Sequence, residues 1–247
     1  MDMDFKHVSD TISDWMAEKV GQAGCKGVVL GLSGGVDSAV VAALAKRRLG
    51  PNVLGLLMPC ESMPEDLEDA RAAAHALDVE TRTVVLDKPY RDLLQAAADK
   101  GNDLGRANLK ARLRMVTLYF FANARQYLVA GTGNRTELAL GYFTKYGDGG
   151  ADLLPIGSLL KWQVRGLAAE LGIPRRIIEK PPSAGLWPGQ TDEGEIGICY
   201  DTLDAIVEAI EEGRKPTAAP QEVARVESLM RASQHKKSLP PICLSWR

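Results

Sequence analysis

The hydrophobic pattern of this chain changes period within its first third. Val8, Ile12, Trp15, Met16 and Val20 recur at helical spacing, and the stretch GQAGCKG ends that helix. The apolar run GVVLGLS follows and reads as the first strand, with a second helix predicted from Ser38 to Leu49. The alternation then repeats. NVLGLLM is expected to be a strand, EDLEDARAAAHAL a helix, TRTVVL a strand, NLKARLRMVTLYFFANA a helix and YLVAGT a fourth strand. Strands alternating with helices imply an α/β fold, a doubly wound parallel sheet with flanking helices on both faces.

The last third has a different character. Tyr142 to Leu154 is rich in glycine and aspartate, and Lys180 to Gly197 in proline and glycine. Both read as long ordered loops, which are more often functional than structural. No repeat, low-complexity tract or linker divides the sequence, so one domain over residues 1–247 is expected.

Composition narrows the class without defining it. With 247 residues, 45% hydrophobic and 25% charged, the chain has the make-up of a globular protein that can bury a substantial core. The 30 basic and 32 acidic residues interleave to a net charge of -2, and no basic stripe marks nucleic acid as a partner. Cys25, Cys60, Cys199 and Cys243 lie far apart with no CxxC pair, which argues against a zinc site or a disulfide scaffold and fits reduced thiols in a cytoplasm. The start MDMDFKHVSD lacks an apolar run and no later segment approaches a bilayer span, so neither secretion nor membrane insertion is expected.

The strongest chemical signal is Ser33-Gly34-Gly35-Val36-Asp37-Ser38, between the first strand and the second helix. Backbone N–H groups at such a helix start face outward, and glycines let phosphate oxygens approach them. The hydroxyls of Ser33 and Ser38 add donors. A P-loop is excluded, because that motif needs a lysine after its last glycine and this loop carries Val36 and Asp37 there. Asp37 would repel phosphate unless a cation intervened. A magnesium ion bridging its carboxylate to phosphate oxygens resolves the conflict, and the same carboxylate also suits the positive end of its own helix.

The string resembles the signature of the PP-loop ATP pyrophosphatase superfamily, whose fold is adenine nucleotide alpha hydrolase-like. That resemblance implies ATP as co-substrate, cleaved to AMP and pyrophosphate. Two longer strings, GTGNRTELALGYFTKYGDGGADLLPIGSLLK and KPPSAGLWPGQTDEGEIG, together with RANLKARLRM and SQHKK, look like ammonia-dependent NAD synthetase over nearly the whole chain. The implied reaction is amidation of nicotinic acid adenine dinucleotide (deamido-NAD) by ammonia, through an adenylated intermediate, with no glutaminase domain. The tRNA-thiolating and tRNA-lysidine relatives would bring basic surface or cysteine pairs, and GMP and asparagine synthetases lack the KPPSAGLWPGQTDE string. A nucleotide sensor without turnover is disfavoured by the joint presence of Asp37, Glu137 and Lys161.

The resemblance also implies roles for single residues. Thr132 and Glu137 follow the fourth strand, at the carboxyl end of the sheet where open α/β folds bind ligands. Glu137 is the expected second magnesium ligand beside Asp37, though a glutamate in a first helical turn is also a plain dipole partner. Thr132, Lys161 and Ser183 are expected on ATP, with Lys161 neutralising departing pyrophosphate. Lys145, Asp148 and Asp152 are implied on deamido-NAD, with His235 and Lys236 near it. Asn108 and Arg112, spaced i and i+4 on one helix face, are expected to grip its phosphate or ribose. The same helix is expected to form a homodimer interface. The stretch after the second strand offers Met58 and Met63 where the family places polar groups, so no side chain there is assigned to adenine.

Overall fold

The computed structural model describes residues 3–99, 101–187 and 189–244. Four parallel strands, β1 (Gly27–Gly31), β2 (Val53–Leu57), β3 (Glu80–Thr83) and β4 (Tyr127–Val129), form a sheet in the order β3-β2-β1-β4. The register places Val28 beside both Val53 and Leu128. From β1 the chain steps outward to β2 and β3, then crosses back to lay β4 on the other side of β1. The reversal creates a switch point between the carboxyl ends of β1 and β4, where parallel sheets hold their ligands.

Helices α1 (Phe5–Gln22), α2 (Val36–Leu49), α3 (Pro64–Ala76), α4 (Asp87–Ala97) and α5 (Asp103–Arg125) connect and cover these strands. Successive strand side chains point to opposite faces. Val28 and Leu30 pack with Met16, Val40 and Leu44 on one face, whereas Val29, Leu54 and Leu56 pack with Tyr90 and Ala122 on the other. Helix α2 is buried from Ser38 through Ala45, as expected of a helix apolar on nearly all sides. Beyond the sheet come α6 (Arg135–Leu140), α7 (Lys161–Glu170), α8 (Arg175–Ile178), α9 (Asp192–Ile196), α10 (Tyr200–Glu211), α11 (Pro220–Ala232) and α12 (Gln234–Lys237). Leu140, Tyr200, Leu203, Ile206 and Val226 join α6, α10 and α11 in a separate apolar cluster. Among the described residues no helix is long and apolar enough to cross a membrane.

Several boundaries differ from the sequence expectation. Helix α2 begins at Val36 rather than Ser38, because Gly35 holds the extended N-cap conformation. The third strand is Glu80–Thr83, one exposed edge segment, although the Val84 N–H still bonds the Leu57 carbonyl at 2.8 Å. β4 stops at Val129, and Ala130 continues only as a single bridge to Leu153. The expected loop from Lys180 to Gly197 contains the short helix α9, whose start is capped by Thr191.

Leu44 has no exposed surface and sits at the centre of the larger core cluster. Leu44→Ala is expected to cost about 3 kcal/mol through lost transfer energy and the cavity left behind. Calorimetry should show melting lower by roughly 6–12 °C, the usual conversion for a domain of this size.

Candidate active site

Two sheet-end turns bring the first group of residues together. The Ser33–Ser38 loop leaves β1 and enters α2, with Gly34 at φ +83, a conformation that favours glycine. A Cβ on Gly34 would lie 2.6 Å from the Asp66 carbonyl oxygen, so α3 rests directly on this loop. The Ser38 hydroxyl donates to the Gly35 carbonyl at 2.9 Å and lies 3.2 Å from the Ser33 hydroxyl, which is itself exposed. The second turn leaves β4 and enters α6. There Asn134 and Glu137 form a reciprocal cap: the Glu137 N–H donates to Asn134 Oδ1 at 3.0 Å, and the Asn134 N–H to Glu137 Oε2 at 3.2 Å. Asn134 is fully buried and its Nδ2 donates to Asp37 Oδ1 at 3.0 Å, so one side chain ties both turns.

Lys161 completes the cluster from the first turn of α7. Its ammonium lies 2.5 Å from Asp37 Oδ2, 3.6 Å from Glu137 Oε1 and 4.9 Å from the centre of the Tyr200 ring. Asp204 of α10 fixes that helix start by accepting the Trp162 N–H at 2.9 Å and the Lys161 N–H at 3.3 Å, two amides a helix leaves unpaired. It also accepts from the Thr136 hydroxyl, joining α6, α7 and α10. Lys161 is only 2% exposed. Burial works against its charge, but Asp37 and Glu137 outweigh that and hold its pKa above the ordinary lysine value.

The carboxylates outnumber the ammonium. Asp192 is buried, accepts the Tyr200 hydroxyl at 3.0 Å, and its Oδ1 has no hydrogen-bond partner. Burial first, then the charge of Asp37, push Glu137 up to about 8 despite Lys161. This donor set of hard oxygens is short of positive charge, and a magnesium ion fits it. Among the described residues no three His, Cys, Asp or Glu side chains converge to hold an ion alone. An ion on Asp37 and Glu137 would take its remaining ligands from phosphate and water.

The other expected residues fall into separate groups. Thr132, Glu137, Phe143 and Asp148 line a small cleft beside the cluster. Asn108 Oδ1 accepts the Thr144 hydroxyl at 2.7 Å, and Arg112 donates to the Lys145 carbonyl at 3.3 Å, so this helix pair holds the glycine-rich loop. Asp148 accepts the Thr144 N–H at 2.9 Å. Lys145 donates to the His235 carbonyl, and Lys236 donates to the Gly141 and Phe143 carbonyls, each at 2.8 Å. Asp152 is set apart from these, with one oxygen on the Tyr119 hydroxyl at 3.0 Å and the other on the Val129 N–H at 2.8 Å. Ser183 stands on the wall of a cleft of about 220 Å³ that also includes Ser62, Met63, Asp66, Lys180 and Trp187.

Four structural partners were missed in the sequence. Asn134 carried a readable signal, since Asn three residues before Glu is a capping pattern. Asp192 lay inside the GQTDE string without a distinguishing mark. Tyr200 and Asp204 have no local signal, because only tertiary packing brings α10 to the sheet end.

A glycine-serine phosphate loop at the switch point of a parallel sheet, faced by a buried lysine and paired carboxylates, defines a nucleotide-binding enzyme of the PP-loop type. Comparison with known proteins agrees. The NAD synthase family model matches residues 8–240. The NH(3)-dependent NAD(+) synthetase of Carboxydothermus hydrogenoformans is 48% identical over 246 residues, covering 98% of this chain and 99% of its own. Among solved structures, an NMN synthetase from Francisella tularensis superposes with a TM-score of 0.92 at 35% identity, covering 98% of this chain and 100% of its own. An NH3-dependent NAD synthetase from Campylobacter jejuni in complex with nitrate gives 0.86 at 32%, with 98% and 100% covered. The chain belongs to the NAD synthase family.

The raised pKa of Glu137 has a defined consequence for stability. A carboxyl whose folded value lies near 8, above the roughly 4.3 of an unfolded chain, contributes stability that is complete below about pH 4.3 and lost as pH rises through 8. With chelator present, thermal melts from pH 5 to 8.5 should show wild type losing ground to Glu137→Gln by up to about 1.4 kcal/mol per pH unit. Parallel curves would mean that Glu137 ionises normally.

Proposed function

We propose that this chain uses ATP to amidate deamido-NAD to NAD with ammonia, the carbon–nitrogen ligation that completes NAD biosynthesis. The observation that carries this reading is the meeting of the Ser33–Ser38 loop with Asp37, Glu137 and Lys161 in a member of the NAD synthase family. The loop amides, the hydroxyls of Ser33, Ser38 and Ser183, and the Lys161 ammonium take the β and γ phosphates, and Thr132 contacts the nucleotide. The α phosphorus stays open. An oxygen of the pyridine carboxylate attacks it, the bond to pyrophosphate breaks, and Lys161 offsets the charge on the departing group. Ammonia then attacks the activated carbonyl, the bond to AMP oxygen breaks, and the nitrogen gives up a proton. Asp37 and Glu137 would hold a magnesium ion, which would supply charge neutralisation at the phosphates.

On this reading Asn108, Arg112, Lys145, Asp148, Asp152, His235 and Lys236 surround the dinucleotide. Asn108 and Arg112 hold the loop that carries Lys145 and Asp148, while Lys145 and Lys236 exchange carbonyl partners for substrate oxygens. Asp152 contributes at the base of that loop, next to β4. Free ammonia as donor is supported by the near end-to-end match with a relative named for it. A homodimer is supported by Val116 and Phe120, one turn apart on α5 and 60% and 68% exposed. A cytoplasmic location accords with Cys25, Cys60 and Cys199 standing as free thiols.

The Francisella neighbour, named an NMN synthetase, motivates a second reading in which the acceptor is a mononucleotide. Turnover with each acceptor at equal concentration separates the two, and the dinucleotide should be preferred. With heavy oxygen in the acceptor carboxylate, one label should appear in AMP and none in pyrophosphate. Label in inorganic phosphate with ADP as co-product would establish an acyl phosphate and contradict the proposed role of the loop. Glutamine supporting the reaction without ammonium would contradict the proposed nitrogen donor.

A further inference from the structure

Lys180 lies at the root of the segment that carries Ser183. Its ammonium sits between two carboxylates of α3, 2.8 Å from Asp66 Oδ1 and 2.7 Å from Asp69 Oδ2. Arg176 approaches Asp69 from the far side at 3.6 Å. Both aspartates also crowd the phosphate loop: a Cβ on Gly34 would lie 2.6 Å from the Asp66 carbonyl oxygen and 2.9 Å from the Asp69 Cβ. The residues that touch the loop with their near ends therefore grip Lys180 with their far ends. Helix α3 does not need this pair to dock, since Ala70, Ala73 and Ala74 already bury it against the core. Burial disfavours the charge on Lys180, yet the bonds from Asp66 and Asp69 raise its pKa above the ordinary value.

We propose that Lys180 is a positioning residue for ATP: by tying the root of the 180–191 segment to α3, it fixes the spacing between the Ser33–Ser38 loop and Ser183. Both walls of the phosphate site are then in place before nucleotide arrives, so binding does not have to order them. The inference rests on the assignment of that loop and Ser183 to ATP. Further along, the segment has its own anchors. The Leu186 carbonyl accepts from Lys110 at 3.1 Å, and the Leu186 N–H donates to Gln190 at 2.9 Å. Loss of Lys180 should therefore loosen the root and Ser183 rather than release the whole strap.

Lys180→Met and Lys180→Arg provide the test, with steady-state constants for both substrates and amide hydrogen exchange of residues 183–185 without ligand. In Lys180→Met, KM for ATP should rise about tenfold, the scale of one charge-assisted anchor, while kcat and the acceptor KM stay within about twofold. Exchange at 183–185 should quicken. Arginine, whose fork still spans both aspartates, should restore KM to within about threefold of wild type. An unchanged KM for ATP, an equal fall in all three constants, or unchanged exchange would overturn the proposal. If wild type itself made no NAD, the assigned reaction would fail instead, and the exchange measurement would still decide whether Lys180 holds the segment.

Discussion

The site depends on a single buried ammonium. Lys161 is almost wholly enclosed, and its charge persists because Asp37 and Glu137 reach it from the ends of two different strands. Removing a charged group from water is costly unless partners compensate, so this contact dictates where the neighbouring elements must lie. Helix α7 has to present its first residue to the sheet end, and Asp204 provides that by capping the amides of Lys161 and Trp162. Asn134 sets the turn after β4 against the turn after β1. The compensation is incomplete, however, since three carboxylates face one lysine and Glu137 is driven toward its neutral form. Such a site would suit a divalent cation that brings polyphosphate with it.

The loops around this cluster are held by side chains bonded to backbone. Lys236, Arg112 and Asp152 all bond main-chain groups of the 129–145 region, and Lys110 does the same for Leu186. Such contacts fix where a loop runs while leaving its own side chains turned elsewhere. Phe143 illustrates the outcome. Its ring packs so closely on Gly149 that a Cβ there would lie 2.4 Å from it, and the loop folds on itself without a regular element.

Much of this architecture was readable in the sequence, for specific reasons. The buried runs around Val28 and Leu54 are continuous and apolar because both faces of a parallel sheet are covered, and that pattern marked the strands. The phosphate loop was legible because its backbone requirements restrict residue types, as the positive φ of Gly34 shows. Edge strand β3 was misplaced because exposed Glu80 and Arg82 carry no periodic signal, while the apolar Val84 to Leu86 that follow lie beyond its end. Glu137 and Lys161 were placed by resemblance. Nothing local distinguishes a lysine at a helix start from a solvated one, and its burial is decided by Tyr200 and Asp204, some forty positions away. Lys180 was invisible for the same reason, as its partners lie on α3.

The magnesium proposal holds that Asp37 and Glu137 share a deficit of positive charge that the ion would fill, and that the ion would in turn bridge them to the phosphates of ATP. Its most direct test is the magnesium dependence of ATP binding, followed calorimetrically in wild type and in Glu137→Gln at fixed pH. The account predicts that glutamine, nearly isosteric but uncharged, weakens the apparent magnesium affinity by at least about tenfold while metal-independent nucleotide binding changes little. Superimposable magnesium titrations for the two proteins would contradict it.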